Sequence, residues 1–377
     1  MKSVAKKYLK CKYITVILLL LVFCIPNVIA QENWTSCRGN QALTGYAAVQ
    51  PFKSYNLLWS YKTGDKIKSS PIIYGENFYV GSNDGFLYSI SKTGSLNWKF
   101  SAGTSIEASP LWLNNTLYFG SLEGNIYAVD AKTGKQKWMY KTEGQISGAS
   151  NWVMGKTKGS VSILTGSYDF FLHCVDAATG KALWKCESSN YINGTAAISK
   201  TTAIFGGCDG FLHVIDVNTG IENHKINVGN YIASSAAIQD GRAYFGNYDG
   251  EIYCYDLATQ KQIWKYEGGG TFTSSPAVFY KFVVITSQDK KVYCLNKADG
   301  KVLWKFATLQ KIEGSPVIAG KTVVVASGDG RLYILDLVSG NKIWSYDIGS
   351  PVYSTPAVTK NYIAVGADDG KVYVFGK

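Results

Sequence analysis

The chain has 377 residues, 14% aromatic and 17% charged. That much aromatic surface with so little charge argues against disorder, which needs the opposite balance. The formal net charge of +11 includes Lys2, Lys6, Lys7, Lys10 and Lys12 in an opening stretch without acids, which leaves the rest at +6. No later run of Lys or Arg supports nucleic-acid binding.

Residues 1–30 read as an export signal. The basic head leads into the run Ile14–Ile25, apolar except for Thr15, Pro26 breaks it, and Val28-Ile29-Ala30 ends in the small residue preferred before a cleavage site. The run holds twelve residues, fewer than the roughly 20 that span a bilayer. A retained anchor is one alternative. Lipid attachment at Cys24 is another, although bulky Phe23 precedes it where a small residue is expected. The expected location is therefore outside the cytoplasm: periplasmic, outer-membrane-associated or secreted, with cleavage near Ala30.

Residues 31–54 form an N-terminal extension, and 55–377 carry a repeat. Trp59, Trp98, Trp138, Trp184, Trp264, Trp304 and Trp344 recur with His224 in the remaining place. Successive steps are 39, 40, 46, 40, 40, 40 and 40 residues. A fixed period of this length marks one small unit copied many times. In Gly314–Ile348, Ser315–Ile318 is a short apolar strand and Thr322–Ala326 a β-branched one. Asp329-Gly330 makes a tight hairpin. Arg331–Leu335 alternates as a third strand, and Lys342–Tyr346 carries Trp344 as a fourth. Four antiparallel strands repeated radially predict an all-β, eight-bladed β-propeller. After Trp344 only three strands remain, over Val352–Val358, Tyr362–Gly366 and Lys371–Phe375. The missing fourth is expected to be Leu57–Tyr61, which would complete the last blade and close the ring.

The repeat assigns packing roles to residues that otherwise suggest chemistry. Tyr88, Tyr127, Tyr253, Tyr293, Tyr333 and Tyr373 share one position with His173 and His213. Asp84, Asp209, Asp249, Asp329 and Asp369 precede hairpin glycines, and Asp130, Asp176, Asp216, Asp256 and Asp336 open the next turn, where a carboxylate accepts nearby backbone N–H groups. Of the cysteines beyond Ala30, Cys174, Cys254 and Cys294 occupy a core slot that elsewhere holds Ala128 or Val214, and should be free thiols. No C-x-x-C pair suggests a metal site. No residue emerges as catalytic, metal-binding or cofactor-binding.

Asp130-Ala-Lys-Thr133-Gly134-Lys135-Gln-Lys-Trp138 and Asp176-Ala-Ala-Thr179-Gly180-Lys181-Ala-Leu-Trp184 resemble the tryptophan-docking motif of the PQQ-type propeller repeat family. Cys37-Arg38-Gly39-Asn40 with Leu43-Thr44-Gly45 looks like the stretch preceding the first blade there. The resemblance, over roughly residues 35–377, implies that each tryptophan lies flat between blades with its indole N–H bonded to the next repeat, a structural girdle. It also implies two kinds of function. Large members are dehydrogenases that bind pyrroloquinoline quinone with calcium, use an aspartate base, and in many cases stack the cofactor on a disulfide of adjacent cysteines. Smaller exported members, such as the BamB-like subunit of outer-membrane β-barrel assembly, are protein scaffolds without a cofactor.

This chain has no adjacent cysteine pair and short connections, which favours the scaffold. One variable position opens each innermost strand: Lys68, Glu107, Ser147, Asn193, Ala233, Thr273, Glu313 and Tyr353. These should ring one mouth of the channel, where a ligand or partner would be read. Glu107, Asn193 and Glu313 offer oxygen ligands to calcium, but the ring contains no aspartate to act as base; a solvated polar rim is the plain alternative. A second candidate is the six-residue excess in the third blade, around Met154–Ser160, with Trp152, Lys156 and Lys158; a neutral insertion is its alternative. The leading expectation is a non-catalytic scaffold for a protein partner in the cell envelope, with any membrane association coming through that partner. The alternatives are a quinone- and calcium-dependent dehydrogenase, and a carbohydrate or small-ligand binder using Tyr191, Tyr231 and Tyr353.

Overall fold

The computed structural model describes residues 31–155 and 157–377; the expected signal segment and Lys156 lie outside them. Blade 7 shows the unit. Val317–Ala319, Thr322–Ala326, Arg331–Asp336 and Lys342–Asp347 pair in sequence, each antiparallel to the next. The sheets number eight, one per blade. Ring closure is as expected: Asn56–Lys62 pairs antiparallel with Lys371–Gly376, setting Ser60 opposite Tyr373. Blade 7 also gains a fifth strand, because Tyr46–Ala47 of the extension runs parallel to Val317–Ala319 on its inner edge.

Burial follows from blades stacking face to face. Thr322–Ala326 is buried throughout, since both faces of a middle strand meet a neighbouring blade. This is why these strands read as continuous β-branched runs rather than alternating ones. The outer strand of each blade is largely exposed, as Lys342–Asp347 illustrates. In all eight outer pairs the register slips by one residue just before the docking aromatic. The bulge leaves Leu58, Leu183, Ile263, Leu303 and Ile343 unpaired and exposed, and it re-aims the following side chain into the inter-blade cleft.

The girdle forms at six junctions. Indole Nε1 of Trp59, Trp98, Trp138, Trp184, Trp264 and Trp304 donates to the carbonyls of Lys92, Ala131, Ala177, Val217, Lys297 and Leu337, at 2.8–3.2 Å. The turn glycine beside each acceptor has positive φ, and a Cβ there would meet the ring; at Gly220 it would lie 2.5 Å from Trp184. Trp344 differs. It faces the closing blade, whose outer strands Lys371–Gly376 and Asn56–Lys62 come from distant parts of the chain, and packs on Tyr55 and edge-on to Phe375.

The repeated Tyr/His position does more than fill space. Tyr88, Tyr293, Tyr333 and Tyr373 donate to Asp84, Asp289, Asp329 and Asp369, and His173 and His213 bond Asp169 and Asp209 at 2.9 Å. The hairpin carboxylate therefore ties the turn to the third strand as well as shaping it. Cys37, Cys174, Cys186, Cys208, Cys254 and Cys294 are all free. Burial pushes the Cys174 and Cys294 thiols up to about 12 and Cys254 to about 11, so all three remain protonated packing groups.

Candidate functional site

The innermost strands line the channel, and their order along the axis defines two faces. Each starts at the mouth bearing the ring positions and ends at the opposite face. Between lies a belt of hydroxyls two residues beyond the ring. The N–H groups of Ala149, Thr195, Ser235, Ser275, Ser315 and Thr355 donate to the hydroxyls of Thr195, Ser235, Ser275, Ser315, Thr355 and Ser70, at 2.8–3.1 Å. The narrow ends of the blades thus satisfy one another's backbone where there is no sheet to do it. The signal was present in the sequence as a Ser or Thr two places past seven of the eight ring positions.

The far face is closed by the chain's own extension. Its carbonyls accept N–H groups of Ile73, Trp112, Ile198, Ile238, Val278, Ile318 and Lys360, and Asn151 Nδ2 donates to Gln41 O. One segment is thereby laced to all eight blades. Arg38 points into the channel and is 1% exposed; its guanidinium donates to Pro316 O at 2.6 Å and Pro276 O at 2.8 Å. Burial lowers its pKa to about 10, which keeps it charged at neutral pH. Gly45 has φ +60, and a Cβ there would lie 2.0 Å from the Arg38 side chain. The Cys37-Arg38-Gly39 and Thr44-Gly45 pattern is the sequence of a plug.

The other mouth is the candidate site. The ring positions stand there with a second tier formed by the hairpins, whose N–H groups reach back to the crossovers, as in Asp368 N to Pro351 O. On blades 7, 8, 1 and 2 the side chains are charged. Lys68 bonds Glu107 at 2.8 Å and Lys311 bonds Glu313 at 2.5 Å. Each carboxylate raises the pKa of its lysine. Tyr353 belongs to this half, with the Lys311 ammonium 5.5 Å from its ring centroid. Asp368, which the sequence reading missed because it lies on the hairpin tier, stands among them. Burial raises its pKa, Glu313 adds to this, and Lys66 and Lys68 only partly offset it. Its Oδ1 is shielded without a partner. The eight ring positions hold no aspartate, and Asp368 adds one on the tier beside them.

On blades 3–6 the ring positions and the hairpin residues facing them, Tyr168, Cys208, Tyr248 and Gln288, are uncharged. Asn193 Nδ2 lies 3.2 Å from Cys208 Sγ, and Thr273 Oγ1 faces Gln288. The calcium donors suggested by sequence do not converge: Glu107 and Glu313 are each held by a lysine, and Asn193 lies in the uncharged half. Among the described residues no group of three or more His, Cys, Asp or Glu side chains could hold a metal ion. The residues at this mouth do not fit a calcium–quinone site.

The third-blade loop lies elsewhere. It joins Asn151–Met154 to Val161–Gly166, a first-to-second-strand turn, and such turns face the plugged side. Trp152 O accepts from Gln41 Nε2 at 2.7 Å, so that residue helps hold the extension. Lys158 is exposed on the loop, which borders an outer depression of about 360 Å³ shared with Leu183 and Trp184. The two sequence candidates therefore lie on opposite faces.

Comparison with known proteins supports the architecture. A family model described as the β-propeller of the beta-alanine-activating enzyme matches residues 146–376, more than half of the chain. A second, described as outer membrane protein assembly factor BamB, matches residues 53–225. No curated protein matches in sequence. Among solved structures, BamB from Moraxella catarrhalis is 19% identical with a TM-score of 0.74, covering 86% of this chain and 100% of its own. A europium-containing methanol dehydrogenase is 14% identical with a TM-score of 0.79, covering 92% and 98%. A quinohemoprotein alcohol dehydrogenase from Comamonas testosteroni is 14% identical with a TM-score of 0.76, covering 93% and 81%. At these identities the likeness is one of fold.

Proposed function

Since the chain belongs to the PQQ-type β-propeller repeat family, with the beta-alanine-activating-enzyme propeller model spanning more than half of it, we propose that it is an exported, non-catalytic scaffold for a protein partner in envelope or outer-membrane assembly. The observation that carries this reading is how the ionisable groups of the open mouth are used. Lys68 and Glu107, and Lys311 and Glu313, neutralise one another in pairs on the rim, and the channel behind them is stopped by Arg38 and the extension. That leaves a broad outer rim suited to another surface rather than a deep pocket that gathers reactive groups. The match to the BamB model over blades 1–4 supports the assembly setting.

The test is site-directed photo-crosslinking in intact envelopes, with the probe at Lys66 or Thr271 on the open face and at Lys321 on the plugged face. A discrete protein adduct from the open-face positions is expected. Adducts from neither face would refute the reading. So would dye-linked alcohol oxidation after reconstitution with pyrroloquinoline quinone and calcium.

A further inference from the structure

The open mouth is divided into unlike halves, and the uncharged half has a surface of its own. Around blades 3–5, Tyr168, Tyr191, Tyr231 and Tyr248 form a crescent with Phe170 at one end. Tyr191 and Tyr231 are the same crossover residue of successive blades, and Tyr168 and Tyr248 the same hairpin residue two blades apart. Tyr191 stacks on Tyr168, centroids 4.7 Å apart at 25°. Tyr231 meets Tyr248 edge-on at 6.0 Å. Between the pairs the repeat places small groups, Cys208 and Ala233, which leaves a saddle with an aromatic wall on each side.

Three observations bear on what sits there. First, the rings lie at the surface: Tyr191 is 44%, Tyr231 48% and Tyr248 43% exposed. They form an open platform rather than part of the core. Second, the platform is set in advance. Asn190 Oδ1 accepts the N–H of Tyr191 at 2.8 Å, and Asn230 Oδ1 that of Tyr231 at 2.6 Å. Third, the residues beside the rings, Asn190, Asn193, Cys208, Asn230 and Ala233, are neutral. The exposed carboxylate of Asp249, next to Tyr248, is held by Asn230 Nδ2 at 2.6 Å.

We propose that this crescent binds a neutral oligosaccharide. A pyranose ring presents a flat face of polarised C–H groups to the negative face of an aromatic ring, and its hydroxyls lie at the edge, where the phenol hydroxyls of the exposed Tyr191, Tyr231 and Tyr248 can bond them. Two aromatic pairs separated by a saddle suit at least two sugar units in a chain. Tyr353, across the mouth among Lys311, Glu313 and Asp368, takes no part. This site is independent of the scaffold reading.

The experiment is calorimetric titration of the full chain with neutral hexasaccharides (β-1,4-glucan, β-1,3-glucan, β-1,4-mannan and β-1,4-xylan), with a hexagalacturonate as the charged counterpart. At least one neutral probe should bind, and more tightly than hexagalacturonate. Tyr191→Ala and Tyr231→Ala should each weaken it about tenfold or more. Tyr280→Ala, 70% exposed on the plugged face, should have no effect. The crescent rings are surface groups, so the variants should melt with the parent chain, and equal melting temperatures show that lost binding is not lost folding. No binding to any neutral probe overturns the proposal, as does binding unaffected by both crescent variants or preference for the charged sugar. Loss of a protein cross-link in Tyr191→Ala without any glycan binding would also overturn it, by making the crescent a protein surface.

Discussion

Replacing His224 with tryptophan separates two requirements that the girdle otherwise imposes together. At six junctions an indole fills the cleft and a glycine in the next blade makes room for it. At the junction of blades 4 and 5 both are absent. His224 stands in the cleft with Nε2 shielded and unpartnered, and burial lowers its pKa. Gln260, at φ +57, takes the place of the glycine. A depression of about 400 Å³ remains, lined by Lys200, Asn223, Leu257 and Ala258 among others. Five of the six indole bonds span 33 residues, which puts the waiting acceptor at the carbonyl of Leu257.

The magnitudes decide the outcome. A Cβ at the six turn glycines would lie 2.5–3.0 Å from indole carbons, well inside van der Waals contact, so an indole at 224 must collide with Gln260. Such overpacking costs about 1–3 kcal/mol and offsets most of the gain from burying the ring. Gln260→Gly alone relieves left-handed strain of about 1–2 kcal/mol and adds backbone entropy worth about 0.5–1 kcal/mol, so it should be close to neutral. Only the pair realises the docking. Removing a buried aromatic costs about 3–5 kcal/mol and the imidazole already fills part of the space, so a net gain of about 2 kcal/mol is expected. Urea unfolding of the parent, both single variants and His224→Trp/Gln260→Gly forms the cycle. A coupling of about 1–3 kcal/mol supports the account. Additivity to within about 0.5 kcal/mol, or a single tryptophan variant as stable as the pair, refutes it.

His213 is 1% exposed by side chain between Asp209 at 2.9 Å and Glu222 at 2.7 Å; burial lowers its pKa, but the two carboxylates outweigh that and raise it. Its contribution is complete below the unfolded value of about 6.5 and is lost as pH rises through the folded one, so urea melts should show stability falling above about pH 6.5. His213→Gln should remove that slope and cost about 3 kcal/mol at lower pH; an unchanged slope refutes the assignment. At the acid end, burial raises the Asp169 carboxyl, but hydrogen bonds from His173 and the N–H groups of Glu143 and Phe171 outweigh this and bring it down to about 2. Its contribution should be present above about pH 4 and fade as pH falls toward 2, more steeply than in Asp169→Asn. Arg38→Met leaves the Pro276 and Pro316 carbonyls without their donor, and thermolysin should then cut within residues 31–49 before the blades; equal resistance would show that the plug does not depend on Arg38. Ser275→Ala orphans the Ser235 N–H and should cost about 1–3 kcal/mol in the same melts.

Whatever depends on the period was legible in the residues. Trp344 marked the last complete blade, and the strands after it called for Leu57–Tyr61, which the structure supplies at Lys371–Gly376. The period also absorbed the histidines correctly: His173 and His213 bond hairpin aspartates where tyrosines do so elsewhere. What escaped notice lies outside the period or across it. Arg38 belongs to a segment without internal repetition, and its partners are 238 and 278 residues away. Asp368 was missed because the ring was read along innermost strands alone, while the mouth is built in two tiers. The outer bulge was hidden because the exposed Leu or Ile before the tryptophan looks like ordinary strand alternation.

A radially copied blade cannot by itself make a singular site, because every feature it carries appears around the whole ring and the packing roles use most of them. Function must reside where copies differ, and the differences here fall into two groups. On the plugged face, the third-blade loop and Trp152 are tied to the extension through Gln41, so that departure is largely consumed in holding the plug. On the open face, Lys68, Glu107, Lys311 and Glu313 are engaged in ion pairs, while the tyrosine crescent has exposed rings. The exposed tyrosines of this mouth are therefore concentrated on blades 3–5. A crescent variant that binds nothing differently from the parent chain would move the search to the outer bulges, where Leu303 and Ile343 are also exposed without a partner in the fold.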